Sequence, residues 1–205
     1  MTPDTTLAAG RRARLERTTR ETQITVEVDV DGSGIADVAT GIGFLDHLLD
    51  AVARHGLFDL TVHAVGDRHI DSHHTAEDVG ITLGRAFDQA LGDRRGIVRI
   101  AHAYAPLDEA LALAVIDISG RGHGEIEAEI AEPRLGELDS DMVRHVLESF
   151  AVEAKLTLHA QVLRGKNGHH RAEALYKAFA RALDAATRRD PRLGDAVPST
   201  KGVLS

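Results

Sequence analysis

The feature that most constrains this chain is an internal repeat. The sequence HHTAED begins at His73 and HHRAEA begins at His169, so one His-His-x-x-Glu spacing occurs twice. Each copy opens a segment (77–91 and 173–186) whose apolar residues recur at the spacing of an amphipathic helix. A single such motif is often a solvated face of a helix, but two copies in matching contexts predict a duplicated fold.

The elements before each motif also recur in the same order. Each half begins with a strand that starts at a glutamate and ends in a Gly-x-Gly turn (21–34 and 109–122). A helix that contains a histidine follows (43–56 and 141–154), and then a strand of alternating apolar and polar residues (58–65 and 155–162). The extra residues of the second half fall in the loop at 132–140. We therefore predict an α/β sandwich of two strands-helix-strand-helix units, with helices covering one face of each sheet.

The repeat sets the expected boundaries within the chain. We expect one compact domain made of two half-repeats, residues 14–95 and 96–190. The polar N-terminal extension (1–13) and the C-terminal tail (191–205) lie outside the repeats, and we expect them to be mobile alone or ordered by a neighbouring subunit.

Composition excludes several classes of function. The chain has no cysteine, so metal ligands must be nitrogen or oxygen. A net charge of −8 and an aromatic content of 3% argue against a nucleic-acid partner. No apolar run is long enough for a membrane span or a signal core, so we expect no membrane partner and a cytoplasmic location.

The His-His-x-x-Glu spacing predicts two metals rather than one. Residues four apart share a helix face, so His73 can converge with Glu77, and His169 with Glu173. Adjacent residues diverge by about 100° at 3.6 residues per turn. Each helix should therefore serve two ions, and each ion should draw on more than one helix.

The repeat supplies a full set of candidate ligands. Six imidazoles and two carboxylates give three His and one Glu per metal, which leaves two open positions on an octahedral ion: His47, His73, His74, Glu77, His145, His169, His170 and Glu173. Such ligands fit Mn, Fe, Co or Zn, and Mn²⁺ suits open six-coordinate sites best. His63 and His159 also align, but in strand centres, where we expect a structural role. His69, His102 and His123 follow no pattern.

At this point the sequence resembles the imidazoleglycerol-phosphate dehydratase family. The resemblance extends from about Arg14 to Ser205 and rests on the motifs RTTRET (17–22), TGIGFLDHLL (40–49), DSHHTAED (71–78), ALGDRRGI (90–97), PLDEAL (106–111), GKNGHHRAEA (165–174), KAFARAL (177–183) and PSTKGVL (198–204). It implies Mn²⁺-dependent dehydration of D-erythro-imidazole-glycerol phosphate to imidazole-acetol phosphate in histidine biosynthesis. It also implies two metals per active site and a 24-subunit homo-oligomer whose sites are shared between subunits.

The implied reaction assigns roles to further residues. The proton that is lost is weakly acidic, so metal coordination of the substrate ring would favour an imidazolate intermediate. Glu21 matches the ET motif of the family and is the candidate acid–base residue, while its repeat partner Glu109, beside Asp108, is a weaker candidate. The resemblance also implies substrate and phosphate contacts, two of them on the tail: His55, Arg99, Arg121, Lys177, Ser199 and Lys201.

Two other functions remain open from the sequence. A metallohydrolase would use a metal-bound hydroxide, although such sites are usually richer in carboxylate. A non-catalytic metal-binding or storage assembly would take up metal without any need for Glu21.

Overall fold

The structure, a computed structural model, describes residues 10–204. The first half contains β1 (Arg12–Thr18), β2 (Thr22–Asp29), β3 (Ala36–Ala39), α1 (Gly43–Gly56), β4 (Asp59–Gly66) and α2 (His73–Leu91). The second half contains β5 (Ile100–Leu107), β6 (Ala110–Asp117), β7 (His123–Glu127), β8 (Arg134–Leu135), β9 (Leu138–Asp139), α3 (Met142–Glu153), β10 (Thr157–Arg164) and α4 (Gly168–Thr187).

The two four-stranded sheets have the same topology. The strand order is β1-β2-β4-β3 in the first sheet and β5-β6-β10-β7 in the second. In each sheet the last strand pairs parallel to its neighbour and the other pairs are antiparallel. Strand β2 alternates buried and more exposed residues, as a strand with one covered face does. The α/β sandwich and the repeated unit are therefore confirmed, and the extra loop at 132–140 contains the small β8–β9 hairpin.

The sheet register corrects one detail of the repeat alignment. Strands β2 and β6 correspond residue for residue from their first positions, Thr22 and Ala110. His159 lies opposite Val115 in the second sheet, and the equivalent of Val115 in the first sheet lies opposite Thr61. His63 is therefore two positions out of register with His159, and their alignment by sequence was wrong because each strand happens to contain one histidine.

The helices lie between the two sheets and join the two halves. Helix α2 packs on the first sheet and on α3, whereas α4 packs on the second sheet and on α1. The α2–α3 approach is close, because a Cβ on Gly80 would lie 2.8 Å from the carbonyl oxygen of Val146. A chain of edge-to-face aromatic contacts runs through the shared core with centroid distances of 5.0, 5.3 and 5.1 Å: Phe58–Phe87, Phe87–Phe150 and Phe150–Phe179.

The described termini pack against the domain of their own chain. Strand β1 begins at Arg12, within the predicted extension, and the rest of that extension up to residue 9 lies outside the described residues. Three arginines from one short segment bind the tail. Arg94 donates to the carbonyl oxygen of Leu204, Arg95 to that of Asp195 and Arg99 to that of Pro198. Among the helices described, none has the length and apolar character needed to cross a membrane.

Candidate metal centres

The first candidate centre joins α1 to α4. His47 comes from α1, and His169 and Glu173 come from the first turns of α4. The Nε2 atoms of both histidines lie 3.0 Å from Oε2 of Glu173. One potential ligand atom from each of the three residues therefore falls within 4.8 Å of the others. Both histidines are exposed, so an ion could reach them from solvent.

The second candidate centre repeats this arrangement between α2 and α3. His145 of α3 places its Nε2 3.0 Å from Oε1 of Glu77 on α2. The ring of His73, one turn before Glu77, lies 5.2 Å from the ring of His145. These three residues also bring their ligand atoms within 4.8 Å of one another.

Each centre combines residues from both halves of the chain. His47 belongs to the first half and binds Glu173 of the second, whereas His145 belongs to the second half and contacts Glu77 of the first. The donors are imidazole nitrogen and carboxylate oxygen, a set suited to borderline divalent cations such as Mn, Fe, Co and Zn. The structure therefore provides two groups that could hold a metal, each drawing on two helices.

The second histidine of each pair points elsewhere. The rings of His73 and His74 are inclined by 83°, and so are those of His169 and His170. Nδ1 of His74 lies 3.0 Å from Asp67, and Nδ1 of His170 lies 2.7 Å from Glu109. These carboxylates raise the pKa of both histidines above its ordinary value.

Glu21 and Glu109 occupy equivalent turns but differ in environment. Each precedes the second strand of its sheet. Glu21 is largely exposed, and its nearest charged partner is Nδ1 of His74 at 3.9 Å. Glu109 instead accepts hydrogen bonds from the backbone N–H of Asn167, the ring of His170 and the backbone N–H of Lys166, which lower its pKa to about 2. Asp108 lies 4.0 Å from His170 at Nε2. Of the two glutamates, only Glu21 keeps a carboxylate free of backbone donors in the described structure.

Lys177 lies beside the first centre, and its charge also acts on His55. Nζ of Lys177 is 2.6 Å from Oε1 of Glu173. Burial alone would raise the pKa of Glu173, but hydrogen bonds from Lys177, His47 and His169 outweigh it and lower that pKa to about 2. Burial and the nearby positive charges of Lys177 and Arg181 lower the pKa of His55. Lys177 thus faces a candidate metal ligand in this state.

The remaining candidate phosphate contacts lie around the tail and the β6–β7 turn. Arg99 pairs with Asp117 at 2.7 Å and donates to the carbonyl oxygen of Pro198, which places it next to Ser199. The backbone N–H of Lys201 donates to the Ser199 hydroxyl. Arg121 is exposed in its turn. Within residues 10–204, no hydrogen bond or ion pair joins Arg121 or Lys177 to the group formed by Arg99, Ser199 and Lys201.

Sequence reasoning missed Asp67 as a residue of this region. It follows β4 directly and contacts His74, but its structural counterpart after β10 is Gly165, which has no side chain. A search for repeated residues therefore had no signal by which to find it.

Comparison with known proteins decides the family. The model of the family described as imidazoleglycerol-phosphate dehydratase matches residues 40–183. The chain belongs to the imidazoleglycerol-phosphate dehydratase family. It is 61% identical to the imidazoleglycerol-phosphate dehydratase of Chloroflexus aggregans over 97% of both chains. It is 59% identical to that of Roseiflexus sp., over 96% of this chain and 99% of the relative.

A solved structure extends the likeness to the fold. The imidazoleglycerol-phosphate dehydratase of Pyrococcus furiosus matches with a TM-score of 0.80 at 34% identity, over 93% of this chain and 100% of that one. The resemblance predicted from the motifs is thus confirmed, and so is the enzyme class: this imidazoleglycerol-phosphate dehydratase family member is a hydro-lyase. The same matches support its role in histidine biosynthesis.

Proposed function

We propose that this chain converts D-erythro-imidazole-glycerol phosphate to imidazole-acetol phosphate and water, with two Mn²⁺ ions per active site. The observation that carries the metal dependence is the pair of three-residue groups, each with two imidazoles and one carboxylate within 4.8 Å. Other divalent cations remain compatible with these donors.

A neighbouring copy would complete each centre. Each group offers three ligand atoms, and the full set of eight predicted ligands allows a fourth from His74 or His170. Those two rings turn away from the groups of their own chain and contact Asp67 and Glu109 instead. We therefore propose a homo-oligomer with active sites shared between subunits, and the 24-subunit number implied by the family resemblance is part of this proposal.

When bound, the two cations would supply Lewis-acid polarisation of the substrate's imidazole ring, which makes the adjacent C–H more acidic. Glu21 is the proposed base for that proton. Its carboxylate is exposed, lies near His74 and accepts no hydrogen bond from a backbone N–H of the described residues. The same carboxyl group then protonates the departing hydroxyl. One C–H and one C–OH bond break, one water leaves, and the resulting enol becomes the ketone.

The chain's cations would position the phosphate. Arg99 and the tail residues Ser199 and Lys201 lie together, and Arg121 and Lys177 add positive charge in an overall acidic protein. His55, whose pKa is lowered in part by the charge of Lys177, is a further proposed substrate contact. The tail at 191–205 is thereby part of the proposed active site, outside the half-repeats at 14–95 and 96–190. The cytoplasmic location and the lack of a nucleic-acid partner stay predictions.

The experiment compares two glutamates in similar surroundings. Glu21 and Glu125 each lie 3.9 Å from a histidine nitrogen and are more than half exposed, but only Glu21 is next to a candidate ligand. In Mn²⁺-loaded protein, we expect Glu21→Gln to lower kcat by about 100- to 10,000-fold. Glu125→Gln should keep wild-type turnover, and both should keep wild-type metal content.

Two results would favour the other functions. Release of inorganic phosphate in place of imidazole-acetol phosphate would support a metallohydrolase. Full dehydratase turnover by Glu21→Gln would remove its proposed role, and metal uptake without any turnover in the wild type would support a storage assembly.

A further inference from the structure

The second histidine of each pair, His74 and His170, contacts a carboxylate through the same ring nitrogen, Nδ1. Asp67 lies 3.0 Å from Nδ1 of His74, and Glu109 lies 2.7 Å from Nδ1 of His170. In the part of the chain that the structure describes, no hydrogen bond reaches Nε2 of either ring. A carboxylate on Nδ1 favours the tautomer that carries its proton there, so the lone pair for a metal lies on Nε2.

The two carboxylates come from positions that the duplication does not relate. Asp67 directly follows β4, whereas Glu109 lies in the β5–β6 hairpin turn. The counterpart of Asp67 in the second half is Gly165, and the counterpart of Glu109 in the first half is Glu21. The second half therefore has no carboxylate after its strand, and its hairpin glutamate contacts the histidine instead.

Both carboxylate oxygens of Glu109 have hydrogen-bond partners. Its Oε1 accepts the backbone N–H of Lys166 at 3.0 Å and of Asn167 at 2.9 Å, and its Oε2 faces His170. Asp67 is less constrained: Oδ2 faces His74, and Oδ1 is buried without a hydrogen-bond partner among the described residues.

We infer that Asp67 and Glu109 are positioning residues that orient His74 and His170 for metal, and that Asp67 takes over in the first half the contact that Glu109 makes in the second. This division leaves Glu21 free for proton transfer, whereas Glu109 is fixed in place. The inference rests on the proposed function, because it assigns both histidines as metal ligands.

The contacts of Glu109 give its amide variant a distinct outcome. In Glu109→Gln, the single amide oxygen is needed by the two backbone N–H groups, so the NH₂ group must face Nδ1 of His170. The ring must then accept at Nδ1 and carry its proton on Nε2, where it cannot bind a cation. In Asp67→Asn, no backbone donor holds Oδ1, so the amide oxygen can still face His74.

The test is calorimetric titration of metal-free full-length protein with MnCl₂. We expect Glu109→Gln to weaken the affinity of the affected site by about 10- to 100-fold, as loss of an orienting partner does. Asp67→Asn should weaken it less, and the control Glu125→Gln should match the wild type. Thermal melting of each metal-free variant shows whether it folds. Asp67→Ala removes the carboxylate and leaves no amide group that could turn its oxygen toward His74.

The outcomes separate this inference from the function on which it rests. If the wild type binds two Mn²⁺ per chain but Glu109→Gln, folded as the wild type, has unchanged affinity, the positioning role alone is overturned. A loss in Asp67→Asn equal to that in Glu109→Gln would overturn the tautomer argument. If the wild type binds no Mn²⁺, both the proposed function and this inference fail.

Discussion

Glu77 lies 3.0 Å from Nε2 of His145, although the two residues come from different halves of the duplicated chain. Glu173 and His47 repeat the contact in the opposite sense, at the same distance. The helix packing explains this exchange, because α2 lies against α3 and α1 lies against α4. Duplication thus produced two similar centres, neither of which a single half could form by itself.

The close approach of α2 to α3 gives a first prediction. A Cβ on Gly80 would lie 2.8 Å from the carbonyl oxygen of Val146, and backbone cannot move aside as a flexible side chain can. We expect Gly80→Ala to destabilise the protein by about 1–3 kcal/mol and to reduce metal binding at the His73–Glu77–His145 centre. Thermal melting and metal analysis measure the two effects.

A second glycine provides the control for this prediction. Gly43 begins α1, and nothing lies within 4 Å of the position of its Cβ. Gly43→Ala should be neutral or stabilise by up to about 1 kcal/mol, since alanine favours helix. Equal melting temperatures for the two variants would show that the helices do not need the small residue at position 80.

The arginine that holds the end of the tail gives a second prediction. The Arg94 side chain is 5% exposed, donates to the carbonyl oxygen of Leu204 and pairs with Asp88. In Arg94→Met, Asp88 keeps its contact with Lys155, but the tail that carries Ser199 and Lys201 loses its distal anchor. We expect KM to rise roughly tenfold, which corresponds to about 1.4 kcal/mol of binding, with a smaller change in kcat.

Arg95 is the matched control for the tail. It is half exposed and donates to the carbonyl oxygen of Asp195, near the start of the tail. Arg95→Met should leave KM within about twofold of wild type, since surface contacts contribute little. Steady-state kinetics on both variants would contradict the anchoring role if Arg94→Met also kept the wild-type KM.

Acidification gives a third prediction. Asp67 and Glu109 raise the pKa of His74 and His170, so these rings accept protons at a higher pH than an ordinary imidazole does. A protonated ring cannot bind metal, so metal content should begin to fall while the pH is still above the ordinary imidazole pKa of 6.5 and should continue to fall as the pH is lowered further. Dialysis against metal-free buffers across this range, with circular dichroism to monitor folding, tests this. Undiminished activity at pH 5 after removal of free metal would contradict it.

The sequence predicted those parts of the fold and the site that the duplication repeats. Paired motifs located the helices, the repeated order of strands and helices along the chain, and the divergence of His73 from His74, because helix geometry determines which neighbours share a face. Features that the two halves do not share could not be predicted from the repeat. Asp67 has only Gly165 as its counterpart, and the two-residue shift of His63 relative to His159 appears only in the strand register. The contacts of the tail with Arg94 and Arg99 join residues about a hundred positions apart and have no local pattern.

The most direct test of the two-centre account is the Mn²⁺ content of purified protein after removal of free metal. It should be measured for the wild type, for Glu77→Gln, for Glu173→Gln and for the double variant. The account predicts about two ions per chain in the wild type, about one in each single variant and none in the double variant, because each glutamate serves one centre. Wild-type metal content in the folded double variant would show that the ions are bound elsewhere and would contradict the account.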